Sequence, residues 1–458
     1  MNYEEFIRNK KVIKQTKGIE VSENDLNDVL FDYQKAIVKK ALELKRFCLF
    51  EACGMGKTLQ QLEWAYQVYL HTKKPVLIVA PLGVTIQTAR EEAPKLGYKV
   101  YMLAYEDFIK EGISIINYEQ LDNIDCSVFG GVVLDESSIL KNFTGKVRTK
   151  LTNYFKNTEY KLCCTATPAP NDLMELLNHA DFLGITTTAK ALATYFINDM
   201  KTGMWRLKGH ATKEFYRWCC TWSINIESPQ DLGYQANYYH LPKLIEKQEI
   251  LEIDVIDDEF ESGLFREIGT SATSFHKEKA RTADDRAKKC AEIATKDNEQ
   301  YLIWCDTNQE ADLLKKYIPN AVEVRGSDKP SFKEDCSMLF KNGQIRVLIS
   351  KPKIFGYGMN FQKCRNVIFC GLTYSYENYF QALRRIYRFG QKNDVYSYIV
   401  IGSTELHILE NIKQKQRMQE QLKNKMDISV KEIQLLNFKG KEVLKVEQSK
   451  MIEIPEFL

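Results

Sequence analysis

The chain has 458 residues, 44% of them hydrophobic and 27% charged, with a formal net charge of +3. That length suits two or three domains whose cores need no covalent staples, and a nearly balanced charge decides nothing about a polyanionic partner, because acidic surface elsewhere can offset a basic groove. No apolar run reaches the ~18 residues of a bilayer span, and Met1-Asn2-Tyr3-Glu4-Glu5 is acidic and polar where a signal peptide is basic and then apolar, so a cytoplasmic protein with no membrane partner is expected.

Residues 1–30 read as an N-terminal arm. An α/β lobe is expected over residues 31–189. It opens with Phe31-Asp32-Tyr33-Gln34, where a glutamine amide offers one donor and one acceptor suited to adenine and a flanking aromatic can stack on the base. Cys48–Phe50, Val76–Ala80, Ser114–Ile116, Val132–Leu134 and Leu162–Cys164 are continuous apolar runs. Such runs suit strands of a parallel sheet covered on both faces. Longer amphipathic stretches such as Leu59–Tyr69 separate them, as in a doubly wound lobe.

Gly54-Met55-Gly56-Lys57-Thr58 follows the first of these strands and opens a helix. This is the setting of a phosphate-binding loop. Its glycines let backbone amides face phosphate, and the helix N-terminus favours the anion. Lys57 is expected to hold the β- and γ-phosphates of ATP, and the Thr58 hydroxyl to ligate Mg²⁺. Glu51 stands where the usual pattern begins with glycine. Leu134-Asp135-Glu136 ends a later strand. Successive side chains there diverge, so Asp135 can face the metal and Glu136 the attacking water. Asp-Glu pairs are common on surfaces, and this one gains weight from the phosphate loop before it. Thr165-Ala166-Thr167-Pro168 also follows a strand, where it is either an ordinary turn or a link to a second lobe.

Residues 190–285 gather Trp205, Phe215, Tyr216, Trp218 and Trp222, then turn acidic from Asp254 to Glu261. A mostly helical insertion and connector is expected. A second α/β lobe follows over 286–402, with strands at Tyr301–Cys305, Val322–Val324, Val347–Ile349, Val367–Phe369 and Tyr396–Ile401. Gly356-Tyr357-Gly358-Met359-Asn360 is a glycine-rich loop. In Gln381–Gln391, Arg385 and Arg388 are three apart, on one face if helical. Two such guanidinium groups can clamp a transferring γ-phosphate, although a basic solvated helix has the same spacing. From 403 to 458 a basic helix and tail are expected, with Lys413, Lys415, Arg417, Lys423 and Lys425. The twelve cysteines include the adjacent pairs Cys163-Cys164 and Cys219-Cys220. These lack the Cys-x-x-Cys spacing of zinc sites, so reduced core thiols are expected.

In this order, the motifs resemble those of the superfamily-two helicases, and most closely the Swi/Snf family of DNA translocases. Asp135–Asn142 is similar to D-E-x-H-x-x-K-N, and Thr165–Leu176 to T-G-T-P-x-x-N-x-x-x-E-L. Gln381–Gln391 resembles Q-A-x-x-R-x-x-R-x-G-Q, preceded by G-x-G-x-N at Gly356–Asn360. The resemblance runs over roughly residues 31 to 402, and the small size is similar to versions carried by phages and mobile elements.

The resemblance implies two RecA-like lobes with ATP and Mg²⁺ between them. Gln34, Gly54, Gly56, Lys57, Thr58 and Gly358 would border the nucleotide. Thr58 and Asp135 would hold the metal, and Glu136 would handle the water. Arg385 and Arg388 would reach the γ-phosphate. Pro81–Thr85 and the residues around Thr167 would touch a DNA strand. Ser138, Arg384 and Glu51 depart from the family's histidine, acidic residue and aspartate, which bears on how tightly ATP is coupled to movement. The implied activity is a DNA-stimulated ATPase that moves along duplex or branched DNA in replication, recombination or repair. A strand-separating DNA or RNA helicase and an ATP-gated DNA clamp are the alternatives. No nuclease motif is visible, so a cutting or replication partner would be a separate chain.

Overall fold

The computed structural model describes residues 17–103, 109–142, 145–199, 205–235, 241–253, 278–355 and 359–425, with single positions at 435 and 438. The chain divides into two compact units, one of residues 1–80, 88–236 and 422–458, the other of residues 81–87 and 237–421.

The first unit is built on β1 (Arg46–Glu51), β2 (Val76–Ala80), β3 (Val100–Met102), β4 (Ile113–Asn117), β5 (Gly131–Asp135) and β6 (Tyr160–Thr165). A separate antiparallel hairpin, β7 (Phe196–Asn198) and β8 (Trp205–Leu207), follows, and then β9 (Ser223–Ile226). The sheet order is β3-β4-β2-β5-β6-β1-β9, and every pairing in it is parallel. Val76, Leu77, Ile78, Val79 and Ala80 are all buried, because helices cover both faces of a parallel sheet.

The second unit has β10 (Leu244–Leu251), β11 (Tyr301–Trp304), β12 (Val322–Val324), β13 (Val347–Ser350), β14 (Asn366–Cys370) and β15 (Val395–Gly402). Its order is β10-β15-β14-β11-β13-β12, again parallel throughout. The polar helix expected after the last strand runs over Leu406–Lys425. Two doubly wound α/β lobes are therefore present, as the alternation of apolar runs implies.

Residues 190–285 carry strands besides helices. β9 pairs with β1 through Cys48–Ser223 and its neighbours, so this stretch completes the first sheet. Phe215, Tyr216, Trp218 and Trp222 are core, and Trp205 packs half-buried against them. Trp222 packs edge-on to Phe50 at 6.2 Å, and Trp218 lies 5.3 Å from Trp222 and 5.2 Å from Tyr195. All twelve cysteines are free and buried, as expected of core thiols. Among the described residues no helix is long and apolar enough to cross a membrane.

Candidate nucleotide site

Parallel strands place their C-terminal ends on one edge of the sheet, where α/β proteins bind ligands. In the first unit that edge receives Glu51 from β1, Asp135 from β5 and Thr165 from β6. Gly54 (φ 91°) and Gly56 (φ 80°) turn the loop between β1 and helix Lys57–Thr72. Both lie in the left-handed region that side chains with a β-carbon disfavour. At Gly56 a β-carbon would also come within 2.1 Å of Gln34 Nε2. Lys57 Nζ folds back to donate to the carbonyls of Glu51 (2.8 Å) and Ala52 (3.1 Å). The lysine therefore caps its own loop.

Glu51 is fully buried, and burial pushes its carboxyl up to about 7 against the opposing pull of Lys57 and Gln60. Gln60 Nε2 donates to Glu51 Oε2 at 2.8 Å, while Glu51 Oε1 has no hydrogen-bond partner among the described residues. One helix position further on, Gln61 Nε2 donates to Asp135 Oδ1 at 2.7 Å. Neither glutamine belongs to the motifs described above. Gln61 lies four residues after Lys57, hence one turn along the same helical face, and that spacing was the available signal.

Asp135 is 7% exposed, and its backbone carbonyl accepts from Tyr118 Oη at 2.7 Å. Glu136 adopts φ 53°, ψ 50° and caps the 3₁₀ segment Ser137–Lys141. A side chain held there costs roughly 1–2 kcal/mol. Thr165 Oγ1 accepts from the Thr167 amide at 3.1 Å. Downstream, Glu175 accepts from the Asn171 amide (3.1 Å) and Asn171 Nδ2 (2.9 Å), closing the loop that leads into helix Glu175–Leu183.

Gln34 is 2% exposed, and both ends of its amide are engaged. Oε1 accepts from the Phe31 amide at 3.0 Å, and Nε2 donates to the Met55 carbonyl at 2.9 Å, which Tyr33 Oη also reaches at 2.8 Å. Gln34 thus buttresses the phosphate loop in this structure.

In the second unit the helix that begins at Tyr376 ends at Leu383. Arg385 and Arg388 therefore lie in the turns beyond it, which corrects the expectation that one helical face carries them. Arg384 stops the helix as its C-cap. The two arginines still converge, since each donates to the Met359 carbonyl at 3.3 Å. Arg385 is 4% exposed and is held by Gln381 through its carbonyl (2.8 Å) and Oε1 (2.9 Å). Gly356, Tyr357 and Gly358 lie outside the described residues.

The SNF2-related domain family matches residues 33–208, and the helicase conserved C-terminal domain family matches residues 285–390. With the phosphate loop and the Asp135-Glu136 pair on one sheet edge, these define the class as an ATP-dependent enzyme of helicase type. "Putative protein p41" of Acyrthosiphon pisum secondary endosymbiont phage 1 is 30% identical over 175 residues, covering 33% of this chain and 38% of that protein. The uncharacterized ATP-dependent helicase YqhH of Bacillus subtilis (strain 168) is 22% identical over 89% of this chain and 82% of its own length. Mouse DNA repair and recombination protein RAD54B is 32% identical over 34% of this chain and 20% of its own length. Among solved structures, the Sulfolobus solfataricus SWI2/SNF2 ATPase core in complex with dsDNA is similar, with 18% identity, a TM-score of 0.41, and coverage of 89% of this chain and 94% of that one. Residues 33–208 thus belong to the SNF2-related domain family and residues 285–390 to the helicase C-terminal domain family, a pairing similar to the Swi/Snf-like branch of the superfamily-two helicases. The match spans about two fifths of the phage relative and a fifth of the mouse one.

Proposed function

We propose that this protein is a DNA-stimulated ATPase that moves along duplex DNA, in replication, recombination or repair of a phage or mobile element. The observation that carries the reading is the meeting of Lys57 and the Asp135-Glu136 pair at one sheet edge, in a chain that matches both helicase domain families.

The glycine loop and the first turn of helix Lys57–Thr72 receive the phosphates of ATP. Lys57 exchanges its two loop carbonyls for phosphate oxygens. Thr58 and Asp135 suit Mg²⁺, which keeps several waters and takes only one or two protein oxygens beside those of the nucleotide. Magnesium, when bound, neutralises charge on the β- and γ-phosphates. Gln61, through its hydrogen bond to Asp135 Oδ1, would steady the carboxylate that holds the ion. Glu136 accepts a proton from the attacking water. Arg385 and Arg388 stabilise the γ-phosphoryl group as it transfers.

ATP binding draws the two units together, and phosphate release lets them part, which ratchets the protein along one strand. Contacts go to phosphates, which position a strand without reading bases. A relative named for DNA repair and recombination and another from a phage support the setting. If DNA is cut in the pathway, a separate chain would cut it.

The test is ATP turnover measured with single-stranded, duplex and forked DNA and with RNA. Stimulation greatest on duplex or forked DNA is expected. Stimulation greatest on RNA or single strands would replace this reading with a strand-separating helicase.

A further inference from the structure

Helix Glu175–Leu183 carries two polar side chains with no role in the chemistry above. Asn178 and His179 are both 0% exposed, and both bond to the chain that follows Glu136. Asn178 Nδ2 donates to the carbonyls of Leu140 (2.8 Å) and Lys141 (3.0 Å). His179 Nε2 lies 3.1 Å from Ser137 Oγ, and His179 Nδ1 lies 3.3 Å from the Glu175 carbonyl. A carbonyl can only accept, so Nδ1 carries the proton and Nε2 accepts from the Ser137 hydroxyl. Burial holds the histidine down to about 4, which keeps this tautomer neutral through the physiological range. The ring also packs edge-on to Phe50 at 5.2 Å, on the strand that enters the phosphate loop.

The same helix is tied to the sheet at its other end. Lys161 Nζ on β6 donates to the Phe182 carbonyl, and Arg46 Nη1 on β1 donates to the Leu183 carbonyl, each at 2.9 Å. Both cations sit where the helix dipole is negative. The helix is thus anchored at its C-terminal end and grips residues 137–141 with its middle turn. What it grips needs holding. Glu136 stands at φ 53°, a conformation that persists only when the surroundings impose it, and a 3₁₀ segment is too poorly bonded to impose it alone. Apolar side chains would pack this helix equally well, whereas buried amide and imidazole groups are costly unless bonded.

We infer that Asn178 and His179 are positioning residues for hydrolysis: their hydrogen bonds to Ser137, Leu140 and Lys141 hold Glu136 in the left-handed conformation that aims its carboxylate at the attacking water. The inference rests on the proposed ATPase reading. It assigns to helix Glu175–Leu183 a share in turnover separate from nucleotide binding.

The experiment compares steady-state ATP hydrolysis by Ser137→Ala, His179→Phe, the double variant and Asn178→Leu. His179→Phe keeps an aromatic ring against Phe50 and removes the nitrogen. Each single variant should lose about tenfold in kcat with KM for ATP within twofold. The double variant should lose no more than its parents, because one hydrogen bond is removed in all three. His179→Gln, which puts an amide oxygen near the position of Nε2, should recover part of the loss. Ser137→Ala deletes a single buried hydroxyl, so the test survives if a substitution at 179 does not fold. Unchanged kcat in folded Ser137→Ala and His179→Phe overturns the inference, as does a rise in KM that follows a fall in Tm. The underlying reading is judged separately, by whether Glu136→Gln abolishes wild-type turnover. If it does not, the reading fails and this inference with it.

Discussion

Gln61 Nε2 donates a 2.7 Å hydrogen bond to Asp135 Oδ1, and neither side chain is more than 7% exposed. The bond joins the helix that begins at Lys57 to the end of β5, so the phosphate loop and the proposed metal carboxylate are set as one piece. It occupies one oxygen of Asp135 and fixes the rotation of the other. A partner of this kind typically contributes 10–100-fold to metal affinity. Gln61→Ala should therefore raise the magnesium concentration that half-saturates ATP hydrolysis by about tenfold, with turnover at saturating magnesium little changed. A magnesium titration of the ATPase checks this.

Glu136→Gln should abolish turnover and preserve ATP binding. The amide keeps the size of the side chain but cannot take the water's proton, a step typically worth about 10²- to 10⁴-fold. ATP affinity by calorimetry beside steady-state hydrolysis separates the two effects. Hydrolysis near the wild-type rate would remove Glu136 from the mechanism.

Much of this was legible in the sequence because both faces of the sheets are covered. Val76–Ala80 is a strand with no polar residue to blur it, and the structure gives it the same ends. β10 was not legible. Its Leu-Ile-Glu-Lys-Gln-Glu-Ile-Leu run lies at a sheet edge with a half-exposed face, so it lacks the apolar continuity that marks the inner strands. β9 follows directly on the aromatics of Trp218–Trp222, the first of which lies in helix Thr212–Cys219, and its four residues are too few for an alternation to show. Around Asp135 and Glu136 the motifs mark the residues proposed to meet substrate. Of the side chains proposed to orient them, Gln61 shares a helical face with Lys57, whereas Asn178 and His179 are brought close only by the fold.

Arg388→Ala should leave ATP binding intact and lower hydrolysis by ~10³-fold, the usual contribution of an arginine finger. Arg385→Ala should differ, because Arg385 is 4% exposed and spends two hydrogen bonds on Gln381. Its loss should also lower Tm. Paired kcat and Tm measurements check the contrast. Hydrolysis that persists in Arg388→Ala but no longer responds to DNA would make Arg388 a coupling residue.

Glu51 makes stability depend on pH. Burial raises its carboxyl to about 7 from an ordinary 4.5, so between these values the folded state binds more protons than the unfolded state. Stability then falls as pH rises. The contribution is present below pH ~4.5 and is lost as pH passes about 7, for a change on the order of 3 kcal/mol. Glu51→Gln keeps the shape without the charge. Thermal unfolding between pH 5 and 8 should show wild-type Tm falling relative to Glu51→Gln, and a constant difference across that range would contradict the assignment.

On DNA, the protein should move along the duplex without opening it. The motifs at Asp135–Asn142, Thr165–Leu176 and Gln381–Gln391 resemble those of duplex translocases more than those of strand-separating helicases. Opening base pairs works against stacking of ~1.4 kcal/mol per step and needs a wedge. Stepping along phosphates needs only alternating grip by two lobes, so binding should weaken steeply with salt and be nearly indifferent to base sequence. Two assays in one buffer decide the matter. A third strand wound onto duplex DNA should be displaced when ATP is supplied, while a tailed duplex should keep both strands. Release of the tailed strand without displacement of the third would indicate a helicase. Hydrolysis with neither outcome would indicate a clamp that holds DNA in place.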